Sequence, residues 1–359
     1  MRQLPLCATQ ILYITRSASS SCNDDKLLNA FRTCLFKRLK QQEVQPGNKV
    51  SIIGSGAVGM ACAVALLSKG ITNDIALYDI NKDLCTAESA DLVHGSLFLN
   101  NCNVAKCCDI GSTRDSRVVV VTSGVRPKAN EKPSEVAQKT ADIIKCVMPS
   151  LVKESPKAVF IIVSNPSDVM AWVAHKISKL PYERCISTGC HLDTARFRLF
   201  IAQLLGVATS SVNAFVLGEN GERSVPMWSS VTVGGVRLEQ LVPKIGTSED
   251  PMQWCKVHKD VVEAAAKVIA LKGYTNWAIG HAVADVVSAI FENSNRILSL
   301  STNAKGMCGI KDDIFLSLPC IVNKWGLFGI IRPHLSKWES NAMKKSAEQV
   351  LKAQCDIKL

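Results

Sequence analysis

The sequence predicts an α/β protein, a parallel sheet with helices on both faces, followed by a second domain of α+β character. Three stretches carry that expectation. Lys49-Val-Ser-Ile-Ile-Gly-Ser-Gly-Ala-Val-Gly-Met60 runs from a β-branched strand through a glycine-rich turn into a helical pattern. Arg117-Val-Val-Val-Val-Thr-Ser-Gly124 and Ala158-Val-Phe-Ile-Ile-Val-Ser-Asn165-Pro166 have wholly apolar centres and stop at glycine or at Asn-Pro. Strands apolar on both faces and separated by helical segments belong to parallel sheets covered on both sides.

Each glycine of Gly54-x-Gly56-x-x-Gly59 has its own physical task. Gly54 permits the tight turn, Gly56 lets the backbone approach a pyrophosphate, and Gly59 lets the helix pack closely on the strand. The helix N-terminus then presents free N–H groups and a positive dipole end to the phosphates. The next strand, Ile75-Ala-Leu-Tyr-Asp79, ends in an acid 20 residues after Gly59. That separation suits a carboxylate binding the adenosine ribose hydroxyls of NAD; an arginine there would have suggested NADP. The spacing therefore predicts a Rossmann NAD site. Ligands of such sheets lie beyond the strand C-terminal ends, where Asp79, Arg126 and Asn165 all fall.

A length of 359 residues suffices for two domains with sizeable cores. At 47% hydrophobic and 20% charged residues the chain is globular, and no apolar run reaches the length of a membrane span. The 15 scattered cysteines form no CxxC pair, which fits reduced intracellular thiols and argues against a disulfide frame or a metal site. The net charge of +11 is spread along the chain without a polybasic run or interleaved aromatics. It suits a basic solvated surface more than a nucleic-acid or membrane interface.

Residues 1–23 contain no acid, two arginines (Arg2 and Arg16) and a run of serines. This composition fits either a mitochondrial transit peptide or an unstructured extension of a cytoplasmic protein. Residues 25–42 have helical spacing in Leu27, Leu28, Phe31, Leu35, Phe36 and Leu39, with Lys37, Arg38 and Lys40 late, and Pro46-Gly47 closes them. A helix so far ahead of the first strand is expected to pack outside the sheet, on a partner subunit. Further helices are expected over residues 81–94, from the end of the loop 125–134 to about 154, and over 251–271. In the second half a helix begins near His191, and Asp193 and Arg196, three apart, share one of its faces.

From about Phe31 to Leu359 the chain resembles the vertebrate-type L-lactate dehydrogenases of the lactate/malate dehydrogenase superfamily. The resemblance rests on Gly54-x-Gly56-Ala-Val-Gly-Met60, His94-Gly-Ser-Leu-Phe, Val163-Ser-Asn-Pro166, Gly189-Cys-x-Leu-Asp-x-Ala-Arg-Phe-Arg198, Leu217-Gly-Glu-x-Gly221, Lys272-Gly-Tyr-Thr-x-Trp-Ala-Ile-Gly280 and Gly309-Ile-Lys-Asp-Asp. It implies an extension over residues 1–29, an oligomerisation arm over 30–48, an NAD-binding domain over 49–189 and a substrate domain over 190–359. It also implies a homotetramer, or a mixed tetramer with active paralogues, that moves hydride between NAD and lactate or pyruvate.

The same resemblance assigns site residues. Arg196 matches the arginine that grips the substrate carboxylate through a bidentate fork. Asp193 matches the aspartate that orients the catalytic histidine. Asn165 matches the asparagine touching nicotinamide and substrate, and Thr275 the threonine lining the substrate pocket. Three positions depart from the pattern. Asn220 stands where the histidine belongs, Pro133 aligns with the mobile-loop arginine that polarises the carbonyl, and Pro127 aligns with the loop glutamine that selects lactate. The cofactor side is intact while the reacting centre is altered, which predicts an NAD-binding but catalytically impaired protein. The alternative is a working 2-hydroxy-acid dehydrogenase of changed mechanism, with Lys132 as a substitute cation. His191, two residues before Asp193, is expected to face elsewhere.

Overall fold

The computed structural model describes residues 22–40, 47–105, 109–126 and 131–359, with the side chains of 22–26 left aside. Pro127 lies outside the described residues. Fifteen strands are described: β1 (Phe36–Arg38), β2 (Val50–Ile53), β3 (Asp74–Tyr78), β4 (Asn103–Ala105), β5 (Val118–Val121), β6 (Val159–Ile162), β7 (Cys185–Ser187), β8 (Val212–Asn213), β9 (Val216–Gly218), β10 (Ser224–Pro226), β11 (Thr232–Val233), β12 (Val236–Arg237), β13 (Arg296–Asn303), β14 (Phe315–Asn323) and β15 (Gly326–Ile331).

The order β7-β6-β5-β2-β3-β4 is parallel throughout. The chain winds outward from β2 in one direction through β3 and β4, then returns to its other side with β5. That reversal between β2 and β5 is the switch point at which a doubly wound sheet opens a crevice for ligands. Every residue of β2, β5 and β6 is buried, as strands covered on both faces require. The covering helices are Ala57–Ser68, Lys82–His94, Pro133–Glu154, Ser167–Ser178 and Trp277–Phe291.

The second half adds an antiparallel extension to the same sheet. β13 meets β7 at Ser301 and Ser187, β14 and β15 follow, and β9 with β10 attaches through β14. The two halves therefore share one continuous 12-stranded sheet. A smaller core, in which the Trp228 ring meets Phe197 at 4.7 Å and Trp254 at 5.9 Å, packs between the helices His191–Leu205 and Cys255–Lys272. The closing helix Lys337–Cys355 starts on a capping box of Ser336 and Glu339.

The N-terminal segment departs from the sequence expectation. Its helix, Cys22–Leu35, stops before Phe36. Phe36, Lys37 and Arg38 then pair with β15 as an antiparallel edge strand of the chain's own sheet. Lys37 and Arg38 lie over the rings of Tyr182 and Phe328, and Leu39 is buried. An available sheet edge outweighs helical spacing over so short a stretch. Cys34 is disulfide-bonded, against the expectation of uniformly reduced thiols, while Cys62, Cys102, Cys185, Cys190 and Cys320 are free thiols buried in the core.

Candidate active site

The glycine turn is built backbone against backbone. After β2 the chain turns at Gly54 with φ +105°, a conformation that favours glycine. At Gly59 a Cβ would lie 1.8 Å from the carbonyl oxygen of Gly54, so only glycine lets the following helix approach the turn. Gly56 differs: a Cβ there would meet nothing within 4 Å. Gly56 is also the N-cap of Ala57–Ser68, which has neither a side-chain cap nor an acid in its first turn. Unfilled N–H groups and the positive end of the helix dipole thus face clear ground.

Asp79 stands beside that ground. Its Oδ2 accepts the N–H of Ser55 at 2.7 Å and its Oδ1 that of Asn81 at 2.9 Å, so the carboxylate is fixed against the glycine turn. The next residue, Ile80, is 93% exposed and offers an apolar side chain alongside. The hydroxyls of Ser55 and Ser123, on neighbouring loops, are buried without hydrogen-bond partners among the described residues. An uncapped helix start, a fixed carboxylate and two orphaned hydroxyls on adjacent strand ends together fit a dinucleotide.

Hydrogen bonds carry this row of loops toward the second half. Thr122 Oγ1 donates to the carbonyls of Ile53 and Gly54, both at 3.0 Å. Ser164 Oγ donates to the carbonyl of Ser123 at 2.5 Å, which places the exposed Asn165 and its cis bond to Pro166 at the same edge. The Arg126 guanidinium lies 5.8 Å from the ring centroid of Tyr274, and the Lys272 ammonium 4.7 Å from it. Thr275 follows Tyr274 directly, so the loop after β5 and the turn carrying Thr275 meet.

In the second half, Asp193 and Arg196 share a helix face and bond each other, Arg196 Nη1 donating to Asp193 Oδ1 at 2.8 Å. Burial raises the Asp193 carboxyl while Arg196 opposes the rise. Asn220 follows β9, and its partners are residues that sequence reasoning did not single out. Its backbone N–H donates to Asp168 Oδ2 at 2.7 Å and its side-chain Nδ2 to Ser167 Oγ at 2.9 Å. Asp168 is 3% exposed; burial pushes its carboxyl up to about 7, and the Asn220 N–H only partly offsets this. The only signal in the sequence was their place directly after Asn165-Pro166, where they look like an ordinary helix start.

No hydrogen bond joins Asp193 to Asn220 among the described residues, because Arg196 occupies Asp193 and Ser167 occupies the amide. Pro133 lies at a helix start. It is the first residue of Pro133–Glu154, where its fixed φ suits the helix and its missing N–H costs nothing. Lys132, the residue before it, is exposed, and its ammonium has no partner among the described residues. His191 does face elsewhere: its Nε2 lies 2.9 Å from Asp285 Oδ2, and Arg296 holds both oxygens of the same carboxylate at 2.7 Å. Against the upward pull of burial, these hydrogen bonds hold Asp285 down to about 2.

Residues 48–187 match the NAD-binding domain of lactate/malate dehydrogenase, and residues 190–358 match the α/β C-terminal domain of the same enzymes. The chain belongs to the lactate/malate dehydrogenase family. It is 45% identical to the L-lactate dehydrogenase B chain of Bos taurus over 313 residues, covering 87% of this chain and 94% of that one. It is 46% identical to the A chain of Xenopus laevis over 326 residues, covering 91% and 97%. For the human B chain the identity is 44% over 319 residues, covering 89% and 96%. The glycine turn and Asp79 thus sit in an NAD-binding domain, and NAD is the cofactor that domain implies. Among the described residues no helix is long and apolar enough to cross a membrane, and no cluster of potential metal ligands occurs.

Proposed function

We propose that this protein is an L-lactate dehydrogenase family scaffold that binds NAD(H) and a small 2-oxo or 2-hydroxy acid but turns it over poorly. The observation that carries this reading is Asn220, an amide tied to Ser167 and Asp168 at the position of the family's proton donor. On this reading Gly54, Gly56, Gly59, Asp79, Arg126 and Asn165 hold the cofactor, which supplies or accepts the hydride. Arg196, which bonds Asp193 through Nη1, grips the carboxylate of lactate or pyruvate, and Thr275 lines the pocket. Asn220 can donate a hydrogen bond to a carbonyl oxygen but cannot serve as a general acid or base near neutral pH. Positioned proton transfer is worth about 10²–10⁴ in rate. A lost donor to the developing oxyanion costs roughly 2.7–4 kcal/mol. The two act as one unit and do not simply add.

The reading extends to assembly and location. The segment around residues 30–48 serves a homotetramer or a tetramer mixed with active paralogues, and the protein is cytoplasmic, with mitochondrial import through residues 1–23 as the alternative. One observation favours a second reading, a working dehydrogenase of altered chemistry. The Lys132 ammonium, next to Pro133, has no partner among the described residues, although it is a point charge without the guanidinium's fork. Steady-state NADH oxidation with pyruvate decides between the two: a rate far below an ordinary dehydrogenase supports the first, and an ordinary rate the second.

A further inference from the structure

We infer that Ser167 is a positioning residue for side chain 220, holding it by hydrogen bond where it cannot engage Asp193. This rests on the reading of position 220 as the family's proton-donor site. Ser167 is 2% exposed and Asp168 3%, so both partners of Asn220 are anchored in the interior at the start of Ser167–Ser178. Asp168 fixes the backbone of residue 220, and the Ser167 hydroxyl oxygen accepts a hydrogen bond from its side-chain Nδ2. The hydroxyl is a versatile partner, since it can accept from an amide or an imidazole N–H and donate to an imidazole nitrogen. A histidine restored at 220 therefore meets two competing partners. One is the Ser167 hydroxyl, already within reach; the other is Asp193, already engaged by Arg196 at 2.8 Å. Only the second makes the imidazole a stronger base, because a neighbouring carboxylate favours the charged form. Replacing the histidine alone thus leaves a ring that is present but misdirected. Removing the hydroxyl frees the ring to turn toward Asp193, whose charge acts on the buried Asp168 together with that of the half-buried Glu219.

The test uses the full chain with bound NADH and compares N220H, N220H/S167A and N220H/S167T. The pKa of the imidazole at 220 is read by NMR on histidine-labelled protein, the new resonance being identified by its absence from the wild type. The ring in N220H/S167A should titrate higher than in N220H, with the S167T hydroxyl bringing it back. Pyruvate reduction, measured in a Pro133→Arg background, should be roughly three- to tenfold faster for N220H/S167A than for N220H, the range of one net hydrogen bond. A merely structural role for Ser167 would alter stability and leave the pKa in place. Equal pKa values in all three folded, NADH-binding variants overturn the inference. Should the histidine variants fail to fold, S167A alone decides through exchange of the Asn220 side-chain amide protons. Faster exchange supports the lock, and unchanged exchange refutes it. A wild-type protein that reduces pyruvate at an ordinary rate would sink the functional reading while leaving the pKa comparison intact, so the two failures are distinguishable.

Discussion

Alanine at Gly56 and at Gly59 should act in opposite ways, although the two residues belong to one motif. At Gly59 the added methyl lies 1.8 Å from the carbonyl oxygen of Gly54, a backbone atom that cannot swing aside. Helix and turn must separate, and overpacking of this kind costs about 1–3 kcal/mol or more. At Gly56 the methyl meets nothing within 4 Å, and φ is −75°, which alanine adopts freely. Its stability should therefore stay within about 1 kcal/mol of wild type, since the lost N-cap preference is small and the reduced freedom of the unfolded chain acts the other way. The space that methyl enters is where the pyrophosphate must come close. NADH affinity should fall by roughly 1–3 kcal/mol, about 5- to 150-fold in Kd. Urea unfolding followed by tryptophan fluorescence reads the first effect and an NADH fluorescence titration the second. If Gly56→Ala binds NADH as the wild type does, the clear ground at the helix start is not the phosphate seat. If both variants lose stability alike, the packing argument for Gly59 fails.

Three further outcomes follow from the same geometry. Asp79→Ala should weaken NADH binding by roughly 1.5–3 kcal/mol through loss of charge-assisted ribose bonds, and it also frees the Ser55 and Asn81 N–H groups; unchanged affinity would remove Asp79 from the site. Asp168 is an acid raised from 3.8 to about 7 in the fold, so its contribution to stability is complete below pH 4 and lost as pH rises through 7. At about 1.4 kcal/mol per tenfold, the loss is on the order of 4 kcal/mol; Asp168→Asn should remove that slope in urea unfolding between pH 4 and 8, and parallel curves would refute it. Restoring Asn220→His, Pro133→Arg and Pro127→Gln together should raise pyruvate reduction by on the order of 10³ or more, exceeding the product of the single effects; a folded, NADH-binding triple variant that stays inert would place the defect elsewhere.

The cofactor half was legible in the sequence because each of its signals is local. The spacing of Gly54, Gly56 and Gly59, the apolar strands and the acid at Asp79 follow from backbone geometry within a few residues. The extension of the sheet was not legible. β13 joins β7 through the pairing of Ser301 with Ser187, residues far apart in the chain whose types do not distinguish partners. Phe36 to Arg38 misled because helical spacing continues through them from Phe31, while the open edge of β15 lies almost 300 residues away. In the second half, Asp193 and Arg196 could be placed on one helix face, but their mutual pairing could not. That bond leaves Asn220 to Ser167 and Asp168, a contact across more than 50 residues that no local pattern encodes.

The central claim is an intact cofactor site joined to a disabled reacting centre, and the most direct measurement is NADH binding and pyruvate turnover on one purified sample. NADH binding should saturate by fluorescence while pyruvate reduction stays several orders of magnitude below an ordinary dehydrogenase. Turnover at roughly 10 s⁻¹ or faster would contradict it, as would the absence of any NADH signal at millimolar cofactor.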